Sequence, residues 1–308
     1  MNIIDLHTLR AGQAVSGLVF IQAYQKKLDD SKRPLYGTLA LKGYTIKFKI
    51  WEKSIQNVFN AHDVGGHIVF ITGTATEYNG SLEITVETVN FEHGFTDVSV
   101  FIKSADVDGV FQKFASFINT NLSTNGVALV SEFLKQDNYL EEFKYAWAAM
   151  KMHDAQVGGL MNHTYKMLNI AKTLVENDAR LEEFKDIIFI GIILHDLGKI
   201  IELDNLGKYT TEGFVGHRTL AVEMVARQKE LFLKYFDAKF YYHILEIITG
   251  HHGSEYGDEP KTVWAYIIHL IDMLESQTTG MIDAYASGSI ADVNGNKAVW
   301  NHGKNLVI

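Results

Sequence analysis

Hydrophobic positions along the first 95 residues recur at strand spacing. Residues 18–21, 35–41, 45–51, 67–72 and 82–89 are short runs rich in β-branched and aromatic side chains. Lys42-Gly43, Gly65-Gly66 and Asn79-Gly80 separate them as turn signals. Ile46, Phe48 and Ile50 alternate with Lys47, Lys49 and Trp51, the signature of a half-buried strand. Asn79-Gly80 between 74–78 and 82–86 predicts a tight hairpin. Five short strands, with a helix predicted over 54–60 between the third and fourth, suit a small closed barrel of the OB type.

From about residue 106 the period lengthens. Val110, Phe111, Phe114, Phe117 and Ile118 share a helix face. So do Val127, Val130 and Leu134, and then Phe143, Trp147 and Met150. His163, Met167, Ile170, Ala171 and Leu174 fall at i, i+4, i+7, i+8 and i+11. No strand is predicted after residue 106, so the second domain reads as all-α. The fold class is therefore α+β multidomain: an OB-type β-barrel followed by a helical domain.

Composition narrows the chemistry. The 308 residues contain no cysteine, which excludes disulfides, thiolate metal sites and a Cys nucleophile. Any metal must sit on histidine and carboxylate. The formal charge of −9 argues against a basic surface that coats duplex DNA. The charge is unevenly placed. Residues 1–60 hold nine Lys/Arg and four Asp/Glu, and residues 61–95 hold five acids and no base, so the first 95 residues are neutral. Lys26, Lys27, Lys32, Arg33, Lys42, Lys47, Lys49 and Lys53 are interleaved with Tyr24, Tyr36, Tyr44, Phe48 and Trp51. A groove that tracks a nucleic-acid backbone and stacks bases uses that mixture, and a barrel core with a solvated lysine face reads the same way. Lys47, Lys49, Tyr36 and Tyr78 are the candidate nucleic-acid contacts. The N-terminus lacks a signal-peptide pattern and the longest apolar run is too short to span a bilayer, so a cytoplasmic protein with no membrane partner is expected.

Eight of the 13 histidines lie between residues 153 and 269. His195-Asp196 ends the apolar run Ile187-Ile188-Phe189-Ile190-Gly191-Ile192-Ile193-Leu194. A polar pair entering a buried helix end is costly unless something binds it, and a metal ion is the simplest partner. Three packed helices would bring His163, His195, Asp196 and Asp272 to one point, with His217 and His251 forming a second point on the Asp196 side. A hydrogen-bonded core network would use the same residues. Lys199, one turn after His195, faces the same cavity and can neutralise a phosphate oxygen.

This ordered set resembles the HD superfamily of metal-dependent phosphohydrolases. The flanks are similar to one branch in particular, the YhaM family of 3′→5′ exoribonucleases: Gly191-Ile192-Ile193-Leu194-His195-Asp196-Leu197-Gly198-Lys199-Ile200-Ile201-Glu202-Leu203, then Tyr209-Thr210-Thr211-Glu212-Gly213 leading to Gly216-His217, then His251-His252-Gly253, then Leu270-Ile271-Asp272-Met273-Leu274-Glu275. The resemblance implies an OB-fold nucleic-acid-binding domain over 1–95, a helical connector over 96–135 packed on both domains, and an HD domain over 136–308. It implies one divalent ion on His163, His195, Asp196 and Asp272, and a second on Asp196, His217 and His251. Mn²⁺ is the implied ion, with Fe, Co or Zn as alternatives. Asp196, Lys199, His252 and His153 are the implied catalytic group. Where relatives tend to carry His-His, this chain has His153-Asp154. The expected activity is metal-dependent 3′→5′ hydrolysis of single-stranded RNA, with single-stranded DNA as a further substrate. Two other readings stay open: a nucleotide phosphohydrolase or cyclic-nucleotide phosphodiesterase, and a non-catalytic single-strand-binding protein. A homo-oligomer is also left open.

Overall fold

A computed structural model of the chain describes residues 2–25, 32–62, 64–150, 154–254 and 258–286, and the backbone of 291–293, 296–301 and 304–307. The chain forms two compact units, Met1–Ser104 and Ala105–Ile308.

The first unit is built on β1 (Ala14–Tyr24), β2 (Leu35–Leu41), β3 (Tyr44–Ile50), α1 (Lys53–His62), β4 (His67–Tyr78) and β5 (Ser81–Asn90). The strands close in the order β1-β2-β3-β5-β4, with β1 also paired to β4 and β3 parallel to β5. That is the OB-type barrel expected from the strand spacing. Alternation decides which side chains enter it: Ile46, Phe48 and Ile50 are buried while Lys47 points out. Close approach of backbone to ring is solved by glycine. A Cβ on Gly37 would meet the Phe48 ring at 2.4 Å. The Asn79-Gly80 hairpin forms with both residues at positive φ, 50° and 73°, as a two-residue primed turn demands. From α1, Phe59 closes the barrel against Phe48, Tyr24 and Phe91.

The second unit contains α2 (Val107–Asn121), α3 (Thr124–Leu134), α4 (Tyr139–Tyr145), α5 (Gly159–Asn177), α6 (Lys185–Leu194), α7 (Lys199–Glu202), α8 (His217–Arg227), α9 (Lys229–Tyr235), α10 (Ala238–Gly250) and α11 (Val263–Ala286). Three short strands follow: β6 (Ala291–Val293), β7 (Asn296–Asn301) and β8 (Lys304–Val307), in an antiparallel sheet of order β6-β7-β8. Helix starts are set by capping side chains. Asp106 accepts from Gly109 N, Ser123 Oγ from Gly126 N, and Asp237 from Phe240 N. Helix α6 is the axis of the unit. Ile187 to Leu194 are all buried, so it is apolar on every side. It packs against α5, α10 and α11. Gly191 permits this, because a Cβ there would lie 2.7 Å from Ile268 Cδ1 and 2.9 Å from Ile247 Cδ1.

The structure adds to the sequence reading at four places. The chain divides after Ser104, and α2 and α3 contribute Val110, Phe114, Leu129 and Phe133 to the core of the second unit. The named elements from Val107 to Ala286 are helices, as expected, and three short strands, β6–β8, follow them where none was predicted. The helix expected through Met150 stops at Tyr145, where Ala146 turns extended and the Trp147 indole donates to Asn205 O. On α5 the buried face runs through Leu160, His163, Met167, Ala171 and Val175, and Leu174 is exposed.

The packing at Gly191 is testable. Gly191→Val should cost about 2–3 kcal/mol through overpacking against Ile268 and Ile247. That corresponds to a fall in Tm of about 5–10 °C by circular dichroism. An unchanged melting curve would contradict the close approach of α6 to its neighbours.

Candidate metal centre

The helices converge their polar residues at one buried place. Helix α5 supplies His163, the C-terminal end of α6 supplies His195 and then Asp196, and α8 begins with His217. His251 and His252 follow the last turn of α10, and α11 supplies Asp272. The turn after Asp196 passes directly over the start of α8. A Cβ on Gly198 would stand 1.9 Å from His217 O, so glycine is required there.

Asp196 lies at the centre of this arrangement, 3% exposed. Its Oδ2 is 3.4 Å from His195 Nε2 and 3.9 Å from His163 Nε2, and His163 Nε2 is 3.3 Å from Asp272 Oδ1. Its Oδ1 faces the other way, 3.4 Å from His217 Nε2 and 3.5 Å from His251 Nε2. Ligand atoms about 2.1 Å from a shared cation stand about 3.0–3.5 Å apart, so the spacing suits an ion on each side.

The other ring nitrogen of each histidine is already bound. His195 Nδ1 donates to Ile192 O at 2.7 Å and His251 Nδ1 to Ile248 O at 2.8 Å. His217 Nδ1 donates to Glu202 at 3.0 Å and His163 Nδ1 to Glu275 Oε2 at 2.5 Å. Each bond places a proton on Nδ1, and on His195, His217 and His251 it leaves the Nε2 lone pair aimed inward. Among the described residues, His195 Nε2, His217 Nε2, His251 Nε2 and Asp196 Oδ1 are buried without a hydrogen-bond partner. Four buried polar atoms converging unpaired are costly. Divalent cations resolve that cost, and the imidazole–carboxylate donor set suits Mn, Fe, Co or Zn. The residues present therefore fit a metal pair.

Protonation points the same way. Burial works against the ionised Asp196, but Lys199 and His195 hold its carboxyl well below the usual carboxylate range. Burial similarly opposes ionised Asp272, and His163 holds it low. Burial pushes His251 down to about 4 and His252 to about 3, so both rings are neutral. Burial would lower His163 as well, yet Asp272 and Glu275 raise it to about 10. The negative field that draws a proton to His163 is the field that holds a cation.

The sequence-predicted residues fall into three groups. His163, His195, Asp196, His217, His251 and Asp272 come together, and His252 joins them, its ring centroid 5.0 Å from that of His217. Lys199 also reaches the centre, with Nζ 2.6 Å from Asp196 Oδ2. In the barrel unit Tyr36 and Lys49 are cross-strand partners, Lys49 Nζ lies 5.8 Å over the Tyr78 ring, and Lys47 is exposed two residues along the same strand. Lys49 is also ion-paired to Glu83. Phe48 belongs to the barrel core instead of a binding face. His153, Lys26 and Lys27 lie outside the described residues.

Sequence reasoning missed the residues behind the ligands. Buried Glu202 accepts from both the backbone N and Nδ1 of His217. Buried Glu275 holds His163, and Lys166 Nζ bridges Glu275 Oε1 at 3.1 Å and Asp154 Oδ2 at 2.8 Å. Asp154 is thus held by Lys166 and by Asn162 Nδ2, which donates to its Oδ1 at 2.8 Å. The spacing of Glu275, three residues after Asp272 on one helix, was the available signal.

Glu275→Gln should weaken divalent-cation binding by about tenfold while the melting curve stays within a few degrees. Titration calorimetry with Mn²⁺ reads it. Unchanged affinity would show that the Glu275–His163 bond does not support the centre.

The HD domain family matches residues 160–277 of the chain. The 3′-5′ exoribonuclease YhaM of Shouchella clausii (strain KSM-K16) is 30% identical over 289 residues, covering 88% of this chain and 86% of the relative. Among solved structures, the mitochondrial single-stranded DNA binding protein Rim1 of S. cerevisiae is 13% identical over 28% of this chain and 97% of its own, with a TM-score of 0.23. The second OB-fold domain of replication protein A from Methanococcus maripaludis is 16% identical over 30% of this chain and 98% of its own, with a TM-score of 0.22. The extent of the match to the Shouchella enzyme, together with the HD domain around Asp196, shows that the chain belongs to the YhaM family of 3′-5′ exoribonucleases.

Proposed function

We propose that the chain is a manganese-dependent exoribonuclease that removes nucleotides one at a time from the 3′ end of single-stranded RNA, and of single-stranded DNA as a further substrate. The observation that carries the proposal is Asp196, whose two carboxylate oxygens each face a separate pair of inward-aimed imidazoles. When bound at such a centre, divalent cations supply a nucleophilic water at neutral pH and positive charge for the phosphate oxygens.

The protein's own residues do the rest. His163, His195 and Asp272 hold one side, and His217 and His251 hold the other, with Asp196 shared between them. Glu202 and Glu275 keep the His217 and His163 rings in the ligating tautomer. Lys199 and His252 face the place where a phosphate would lie: Lys199 supplies a cation against its charge, and His252, neutral by burial, can donate or accept a hydrogen bond. His153 is kept as a further catalytic candidate from the family pattern. Tyr36, Lys47, Lys49 and Tyr78 form the basic, aromatic face on which the barrel unit would hold a single strand. Among the described residues no helix is long and apolar enough to cross a membrane. A cytoplasmic location remains part of the proposal.

A 5′-labelled single-stranded RNA with Mn²⁺ should yield a ladder shortening from the 3′ end. Asp196→Asn should slow it at least about a thousandfold, since several kcal/mol of charge stabilisation rest on that carboxylate. Internal cuts, or faster turnover of nucleoside triphosphates or cyclic nucleotides, would overturn the proposal.

A further inference from the structure

A cavity of about 440 Å³ opens beside the His217 side of the centre. His217 and His252 line it together with Val215, Val222, Arg218 and Thr219. Its volume falls in the range that takes small organic ligands, and Glu202, Thr249 and Asp258 complete a lining in which polar side chains outnumber apolar ones. Phe214, the chain neighbour of the lining residue Val215, is 82% exposed and belongs to no part of the unit's core. The turn that carries Phe214 is pinned. Thr210 Oγ1 donates to Ile201 O at 2.7 Å, Thr210 N donates to Glu202 O at 3.0 Å, and Gly213 N donates to Thr210 Oγ1 at 2.9 Å. A solvent-exposed phenyl ring on a pinned turn, three residues before His217, adds little to folding stability. Its flat face suits a nucleobase.

We infer that this cavity receives the 3′-terminal nucleoside of the substrate and that Phe214 is the ring on which the terminal base stacks. The inference rests on the exoribonuclease reading. Water attacks the terminal phosphodiester, the P–O3′ bond of the preceding nucleotide breaks, and that O3′ leaves as a hydroxyl carrying a proton. The terminal nucleoside then departs as its 5′-monophosphate. A cavity with room for one nucleoside would seat the unit that leaves.

The test compares a 5′-labelled single-stranded RNA with the same RNA ending in an abasic ribose, following removal of the last nucleotide. The intact chain should lose about tenfold in kcat/KM on the abasic end, chiefly in KM. Phe214→Ala should lose about tenfold on the ordinary end and nothing further on the abasic end, and Phe214→Trp should restore the difference. Equal losses on both ends, no loss on either, or a change of oligomeric state independent of the terminal base would overturn the inference. Calorimetry of adenosine 5′-monophosphate against ribose 5-phosphate separates the two readings. If no RNA is degraded but the intact chain prefers the nucleotide and Phe214→Ala abolishes that preference, the pocket stands and the exoribonuclease reading fails. Equal binding of both compounds by the intact chain overturns the pocket.

Discussion

Asp196 is a carboxylate taken almost wholly out of water and surrounded by imidazole nitrogens whose lone pairs point at it. Lys199 brings an ammonium to Oδ2, while among the described residues Oδ1 is buried without a hydrogen-bond partner. A buried charge of this kind survives only with compensation close at hand. Cations on both sides of the carboxylate would provide it, and much of the second unit shapes that place. The all-apolar α6 delivers Asp196 to the interior. Gly198 lets the following turn touch α8, so that His217 arrives on the second side. Glu202, Glu275 and the two backbone carbonyls of Ile192 and Ile248 hold the four rings from behind.

The residues that converge on Asp196 could be read from the chain because their setting is anomalous. A His-Asp pair closing eight apolar residues, followed by isolated histidines ahead of apolar helices, breaks the local pattern where chemistry requires it. The barrel could be read for the opposite reason: alternation at Ile46, Phe48 and Ile50 and the Asn79-Gly80 turn follow local rules. What stayed hidden depends on tertiary contact. Glu202 and Lys166 look like ordinary surface charges in sequence, and only packing buries Glu202 or brings Lys166 between Asp154 and Glu275. The end of α4 was missed because Trp147 keeps the helical spacing while its indole is drawn to Asn205 instead. The β6–β8 strands are three to six residues long, too short for period to outweigh the helical context before them.

Charge takes on a local meaning in this framework. The net −9 lies entirely beyond residue 95, in the part of the chain that gathers Asp154, Asp196, Glu202, Asp272 and Glu275 around the histidines. That acidity attracts divalent cations, which in turn make the centre attractive to phosphate. The barrel unit, neutral overall, keeps a small cationic and aromatic face at Tyr36, Lys49 and Tyr78. On the proposed function, metal binding and strand binding would fall to oppositely composed parts of one chain, and neither would demand a basic surface over the whole protein.

The central claim is that one carboxylate is shared by two ions. Electron paramagnetic resonance of the Mn²⁺-loaded chain, recorded with metal analysis, tests it most directly. The expected result is two Mn²⁺ per chain and an exchange-coupled spectrum that Asp196→Asn abolishes. A plain six-line signal from isolated Mn²⁺ at full loading, unchanged by that substitution, would contradict it.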